Sequence, residues 1–244
     1  MEGASILCAV DMALPRTPDD FHAWVLQKCK ELNSSREAKA FARSGAILPK
    51  KFYDELFPLA LFVRREYQGR TDVSIEPHLG NDNYDATITI HESFGAHTIF
   101  VEITCAKDGY DESLRMEVLA REGGVSLTGP ITKSGRRGSP DRFVKVTPEA
   151  ASHLETLERY LRLVEATIEA KSKARYGRSH VLLVAVDDFL PLAQDYDWPL
   201  FNERARSWMR SVRLDFGQVV FVGIAGRLLL SYPLPLAATE ANAL

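Results

Sequence analysis

The stretch Asn83–Lys107, NYDATITIHESFGAHTIFVEITCAK, constrains this chain more than any other. Apolar and polar residues alternate with a period of two on both sides of a turn, which predicts a β-hairpin. Ala86, Ile88 and Ile90 share one face of the first strand, roughly 84–91, and Asp85, Thr87, Thr89 and His91 share the other. The turn, ESFGAH, holds Gly95. In the second strand, roughly 98–106, Ile99, Val101, Ile103 and Cys105 oppose Phe100, Glu102 and Thr104.

A turn centred near Phe94–Gly95 sets Asp85 opposite Thr104 and Thr87 opposite Glu102. Opposed residues of an antiparallel pair share a face, so Asp85 and Glu102 come within one diagonal step. Two carboxylates so placed can hold one divalent metal through oxygen ligands. The inference depends on register, because a slip of one residue sends them to opposite faces. The same alternation also describes a solvated polar face, which antiparallel sheets often carry.

The rest of the chain narrows the classes. Its 244 residues suit one large domain or two small ones, and 45% hydrophobic with 26% charged residues is the composition of a folded protein. A net charge of −3 gives no global signal for nucleic acid, so such a partner needs a local basic patch. Cys8, Cys29 and Cys105 lack paired spacing, against a disulfide framework or a cysteine zinc site. No apolar run reaches membrane-spanning length and no secretory leader is visible, so a cytoplasmic protein without a membrane partner is the expectation. The phosphate-loop, dinucleotide, zinc-protease and serine-hydrolase motifs are missing.

Residues 1–50 read as an N-terminal helical segment, with a helix start at Pro18–Asp20 and a second short helix over 35–44. The segment 51–67 is a helix whose stripe is Phe52, Leu56, Leu59, Val63 and Tyr67; Pro58 predicts a kink or late start. Glu55 and Glu66 flank that stripe and read first as surface ion-pair partners. A short strand follows at 72–77. Residues 113–121 fit a helix or a strand, and VSLT (125–128) a small strand. The stretch 131–145 carries Lys133, Arg136, Arg137, Arg142 and Lys145 against Asp141, and reads either as a solvated loop or as a grip on a phosphate backbone. A helix is expected from 149 to about 176, stopped by Gly177, with a stripe that continues from Ile168 to Lys171 and Arg175. Strands at 180–186 and 218–223, a helix at 199–212 between them and an edge strand at 227–232 imply parallel crossovers. The α/β domain is thus expected over 51–233, with a loose tail over 234–244.

The order helix, three strands, helix, strand, with Asp85 in NYDATI and Glu102 in VEITCAK, resembles the PD-(D/E)XK, or restriction-endonuclease-like, nuclease superfamily over about 51–224. The resemblance implies an αβββαβ core with a mixed central sheet flanked by helices. Thr104 stands where family members carry a lysine, and no proline precedes Asp85. Some members move that lysine to another element, and Lys107 and Lys171 are the candidates, Lys171 the better because its stripe faces the sheet. The implied catalytic set is Asp85, Glu102, Lys107 and Lys171. Asp85 and Glu102, with the Ile103 carbonyl, would hold Mg²⁺ or Mn²⁺. Lys133, Arg136, Arg137, Arg142, Lys173 and Arg178 would hold the backbone of a nucleic acid, DNA first. A homodimer is compatible with this reading. His91 shares the Asp85 face and could assist. The resulting function is a metal-dependent nuclease; the alternatives are a nuclease fold without catalysis that binds nucleic acid or protein, and an unrelated α/β protein with a solvated hairpin face.

Overall fold

The computed structural model describes residues 6–80, 82–126, 128–136, 138–171, 173–189 and 191–234. Six strands form one mixed sheet: β1 (Val73–Pro77), β2 (Ala86–Glu92), β3 (Gly95–Cys105), β6 (Gly177–Val186), β7 (Phe216–Gly223) and β8 (Leu229–Pro233), adjacent in that order. The β1/β2, β2/β3 and β7/β8 pairs are antiparallel; β3/β6 and β6/β7 are parallel. The central strands β6 and β7 are continuous apolar runs because helices cover both faces.

On one face lie α2 (Pro18–Leu32) and a long helical run, α4 (Ile47–Lys51), a π-helical turn (Phe52–Leu56) and α5 (Phe57–Tyr67). Phe21, Val25, Leu59 and Val63 pack there against Ile75, Ile88, Val101, Leu183 and Val220. The N-terminal segment therefore shares the core of the sheet. Thr17 caps α2, accepting the Asp20 N–H at 3.3 Å, and Ser35 caps α3 (Arg36–Ala42), accepting from Ala38 at 3.0 Å. Arg16 bridges to Ile75 on β1, which ties the segment to the sheet edge.

On the other face α7 (His153–Lys171) and α8 (Asp197–Ser211) cover Leu182, Val184 and Val186 of β6 and Val219 and Phe221 of β7. Helix α7 starts later than Thr147–Pro148–Glu149 suggests. Ser152 and Glu155 form a reciprocal capping box, the Ser152 N–H donating to Glu155 Oε2 at 2.8 Å and the Glu155 N–H to Ser152 Oγ at 3.2 Å. The helix ends at Lys171, and Gly177, at φ 99°, opens β6 instead of closing the helix.

Between β3 and α7 the chain builds a small module. Helix α6 (Gly109–Glu122) packs on a hairpin of β4 (Ile131–Ser134) and β5 (Phe143–Val146), with its own core of Leu114, Val118, Val144 and Val146. The basic stretch expected as an open loop is thus largely this hairpin, and the strand expected at VSLT does not form in the described part of 125–128. Most of the tail, 235–244, lies outside the described residues. No helix among the described residues is long and apolar enough to cross a membrane.

Candidate functional site

The hairpin closes on Glu92 opposite Gly95, with Ser93 and Phe94 as turn residues and Gly95 at φ 152°. Pairing runs Ala86 opposite Val101 and Thr87 opposite Phe100. This is two residues from the expected register, and a shift of two preserves every side-chain face. The ladder stops at Asp85. Its N–H donates to the Val101 carbonyl at 2.8 Å, and its carboxylate Oδ2, in place of a backbone oxygen, accepts the Ile103 N–H at 2.7 Å. This clasp holds Asp85 beside Glu102.

Glu102 lies on the α7 face of β3 and is only 9% exposed. Lys171, at the last turn of α7, forms an ion pair with Glu102 Oε1. The helical stripe Leu157, Leu161, Val164, Ile168 points at the sheet and carries Lys171 with it. Tyr176, beyond the helix, stacks on Phe216 at 4.4 Å, and its phenol lies within reach of the Glu102 charge. Its phenol is pushed up to about 12, by burial first and then by the Glu102 charge, so it remains a donor at neutral pH.

From the opposite layer, Glu55 in the π-helical turn adds a third carboxylate. Lys51 pairs with it at 3.1 Å, the ion pair that the sequence favours. Burial raises its carboxyl, and the Asp85 charge raises it further. Burial likewise raises Asp85; the Ile103 N–H opposes the shift and the Glu102 charge adds to it. Acids from both faces thus come within electrostatic reach of one another where β2 begins, with one lysine from each layer.

The π-helical turn has a local cause. Pro58 has no N–H, so the Asp54 carbonyl four residues back loses its α-helical donor. The Cys105 thiol donates to that carbonyl at 3.3 Å, and burial pushes the thiol up to about 12. Lys107 pairs with the Asp54 carboxylate, so it serves this junction and not Glu102. Lys171 is the lysine brought to the acidic pair. His91 is exposed at the far end of β2, about 20 Å along the strand from Asp85.

The basic candidates separate. Arg142 is held by Glu117 at 3.0 Å and by the Gly135 carbonyl at 2.9 Å, and Lys133 lies over the Tyr110 ring at 4.0 Å. Arg136, with these two arginine and tyrosine anchors, lines a cleft of about 410 Å³ between α6 and the hairpin. Arg137 lies outside the described residues. Lys173 and Arg178 are exposed on either side of Tyr176. Tyr176, His180 and Lys51 join this neighbourhood without a local motif that marks them in the sequence. Tyr176 was hidden because it looked like the end of a helix; the aromatic pair Tyr176 and Phe216 is made only by tertiary contact.

Among the described residues no three His, Cys, Asp or Glu side chains converge as a metal cage. The donor set instead is two hard carboxylates with raised or shared charge, which suits an ion such as Mg²⁺ that keeps most of its waters and takes one or two protein carboxylates. The Lys171 ammonium on Glu102 already marks the place as one that takes positive charge. No protein-family model matches the chain, and no curated protein or solved structure matches it.

Proposed function

We propose that this protein is a metal-dependent nuclease that hydrolyses phosphodiester bonds, DNA first, with a restriction-endonuclease-like core. The observation that carries the reading is the meeting of Asp85, Glu102 and Lys171 at one end of the sheet. The element order supports it: α5, then β1, β2 and β3, then α7 and β6, with the small module inserted before α7. Lys171 supports it further, because it brings to Glu102 the cation that Thr104 does not supply.

Asp85 and Glu102 would hold Mg²⁺ or Mn²⁺. Bound there, the ion supplies Lewis acidity towards a phosphodiester oxygen and lowers the pKa of a coordinated water. Asp85 is preset by the Ile103 N–H, and Glu102 by Lys171, so little reorganisation is needed when substrate arrives. Lys171 would offset negative charge developing on the phosphoryl oxygens. Glu55 and Lys51 stand close enough to tune the charge of Asp85.

The test is cleavage of plasmid and single-stranded DNA with Mg²⁺ or Mn²⁺. Asp85→Ala, Glu102→Ala and Lys171→Met are each expected to lower the rate about a hundred-fold or more. Lys107→Met is expected to retain activity, since Lys107 pairs with Asp54. Cutting that survives Asp85→Ala and Glu102→Ala overturns the reading. Absence of any cutting by the wild type favours a nuclease fold that binds without catalysis, the reading that Thr104 by itself suggests.

A further inference from the structure

The apolar core does not extend over the whole face of the sheet that carries Glu102. Among the described residues, the core beneath α7 and α8 draws on β6, β7 and β8 but takes none from β1 or β2. On the remaining half, aromatic rings cross the strands in a row. His78 lies 4.9 Å from Tyr84, Tyr84 4.8 Å from Phe100, and Phe100 4.9 Å from His180 with the planes 25° apart. His180 in turn is 5.7 Å from Tyr176, whose phenol feels the Glu102 charge. All five rings are half-buried, and Tyr84 and Phe100 belong to neither main apolar core. The Nδ1 of His180 is buried without a hydrogen-bond partner.

A row of partly open rings that ends at the acidic pair suits planar ligands presented in succession. Unpaired bases have that form. Every base has a π-face, and stacking on aromatic side chains is how proteins hold single strands. In a duplex those faces are already stacked on each other and unavailable. Charge gives the row a direction. Lys173, Arg175 and Arg178 are exposed on the segment that carries Tyr176, whereas Glu76 is exposed on β1, at the other end of the row. A phosphate backbone would therefore follow the basic side, with its bases turned onto the rings.

We propose that His78, Tyr84, Phe100 and His180 form a stacking platform that delivers a single-stranded segment of nucleic acid to Asp85, Glu102 and Lys171. What happens at the carboxylates rests on the phosphodiesterase reading; the binding does not. The test uses the full chain in EDTA, so that nothing is cut. Fluorescence anisotropy follows one short labelled sequence as single-stranded DNA, as single-stranded RNA and as duplex DNA. Both the wild type and the variants Phe100→Leu and Tyr84→Leu, which keep apolar volume but remove the ring, are measured. Single strands are expected to bind about ten-fold tighter than duplex, and each variant to lose about ten-fold on single strands alone, with its thermal midpoint kept. The two single-stranded arms show whether the 2′-hydroxyl is accepted. Duplex bound as tightly as single strands, variants that bind single strands like wild type, or no binding at all would overturn the platform. Cleavage of the same oligonucleotides with Mn²⁺ separates the two readings. Ring-dependent binding without cleavage upholds the platform against the nuclease. Duplex cleavage unaffected by Phe100→Leu and Tyr84→Leu upholds the nuclease against the platform.

Discussion

Asp85 is stabilised poorly as an anion in the metal-free protein, and that is measurable. Burial and the Glu102 charge hold its carboxyl above the ordinary carboxylate range, and Glu55 is raised by burial and by Asp85. The folded chain therefore keeps protons that the unfolded chain has lost at the same pH. Their contribution to stability is complete below the ordinary carboxylate range and is lost as pH rises through the raised values. Asp85→Asn keeps an acceptor for the Ile103 N–H and removes the charge. At pH 7 without metal it is expected to raise Tm by roughly 2–4 °C, the effect of about 1 kcal/mol in a domain of this size, while abolishing cleavage. Below the ordinary carboxylate range the gain should disappear. Thermal melts of both proteins across pH 3 to 8 check this, and a gain that persists undiminished at low pH would contradict the assignment. Added Mg²⁺ is expected to raise the wild-type Tm more at pH 8 than at pH 5, because the ligands must be ionised to bind it.

At the scale of elements, the end of the sheet is held by side chains that replace missing backbone partners. Asp85 takes the Ile103 N–H where the β2/β3 ladder stops, and Cys105 takes the Asp54 carbonyl that Pro58 leaves. Asp188 does the same just beyond the end of β6. It is fully buried and accepts from the N–H groups of Ala225, Arg227 and Leu228 at 2.6, 2.7 and 3.0 Å, which shapes the turn between β7 and β8. Gly223 is required beside it, since a Cβ there would fall 2.0 Å from Asp188 Oδ2. Asp188→Ala leaves these donors without their acceptor and is expected to cost about 3 kcal/mol or more, a fall of about 10 °C in Tm. Asp85→Ala, by contrast, removes one such bond. Thermal unfolding of the two variants side by side tests the contrast; equal losses would show that the turn does not depend on Asp188.

At the scale of the whole molecule, two large cores grip the sheet from opposite sides, while the module of α6, β4 and β5 has only its own small core. Few buried apolar contacts mean a low free energy of local opening. Hydrogen exchange is expected to show amides of α6, β4 and β5 exchanging well before those of β3, β6 and β7. Exchange of the module at the rate of the central strands would show it to be one cooperative unit with them. The acidic pair and the aromatic row lie beside the core of α7 and α8, which rests on β6, β7 and β8 and, among the described residues, takes none from β1 or β2.

Local pattern alone determined much of this. Alternation located β2 and β3, Pro18–Asp20 marked the start of α2, and the apolar runs marked β6 and β7 as buried strands. The shared face of Asp85 and Glu102 was legible because parity survives a two-residue error in register. The helical stripe of α7 pointed Lys171 at the sheet for the same reason: periodicity encodes direction. Tertiary structure decided the rest. Periodicity cannot say that Lys107 meets Asp54, that Glu55 comes up near Asp85 from the other layer, or that Tyr176 lies beyond the helix and stacks on Phe216. Those contacts join residues far apart in the chain, and their geometry is set by how the layers pack. The aromatic row is the clearest case, since His78 and Tyr84 in the β1–β2 connection, Phe100 on β3 and His180 on β6 lie on three separate segments that become neighbours only when the strands align.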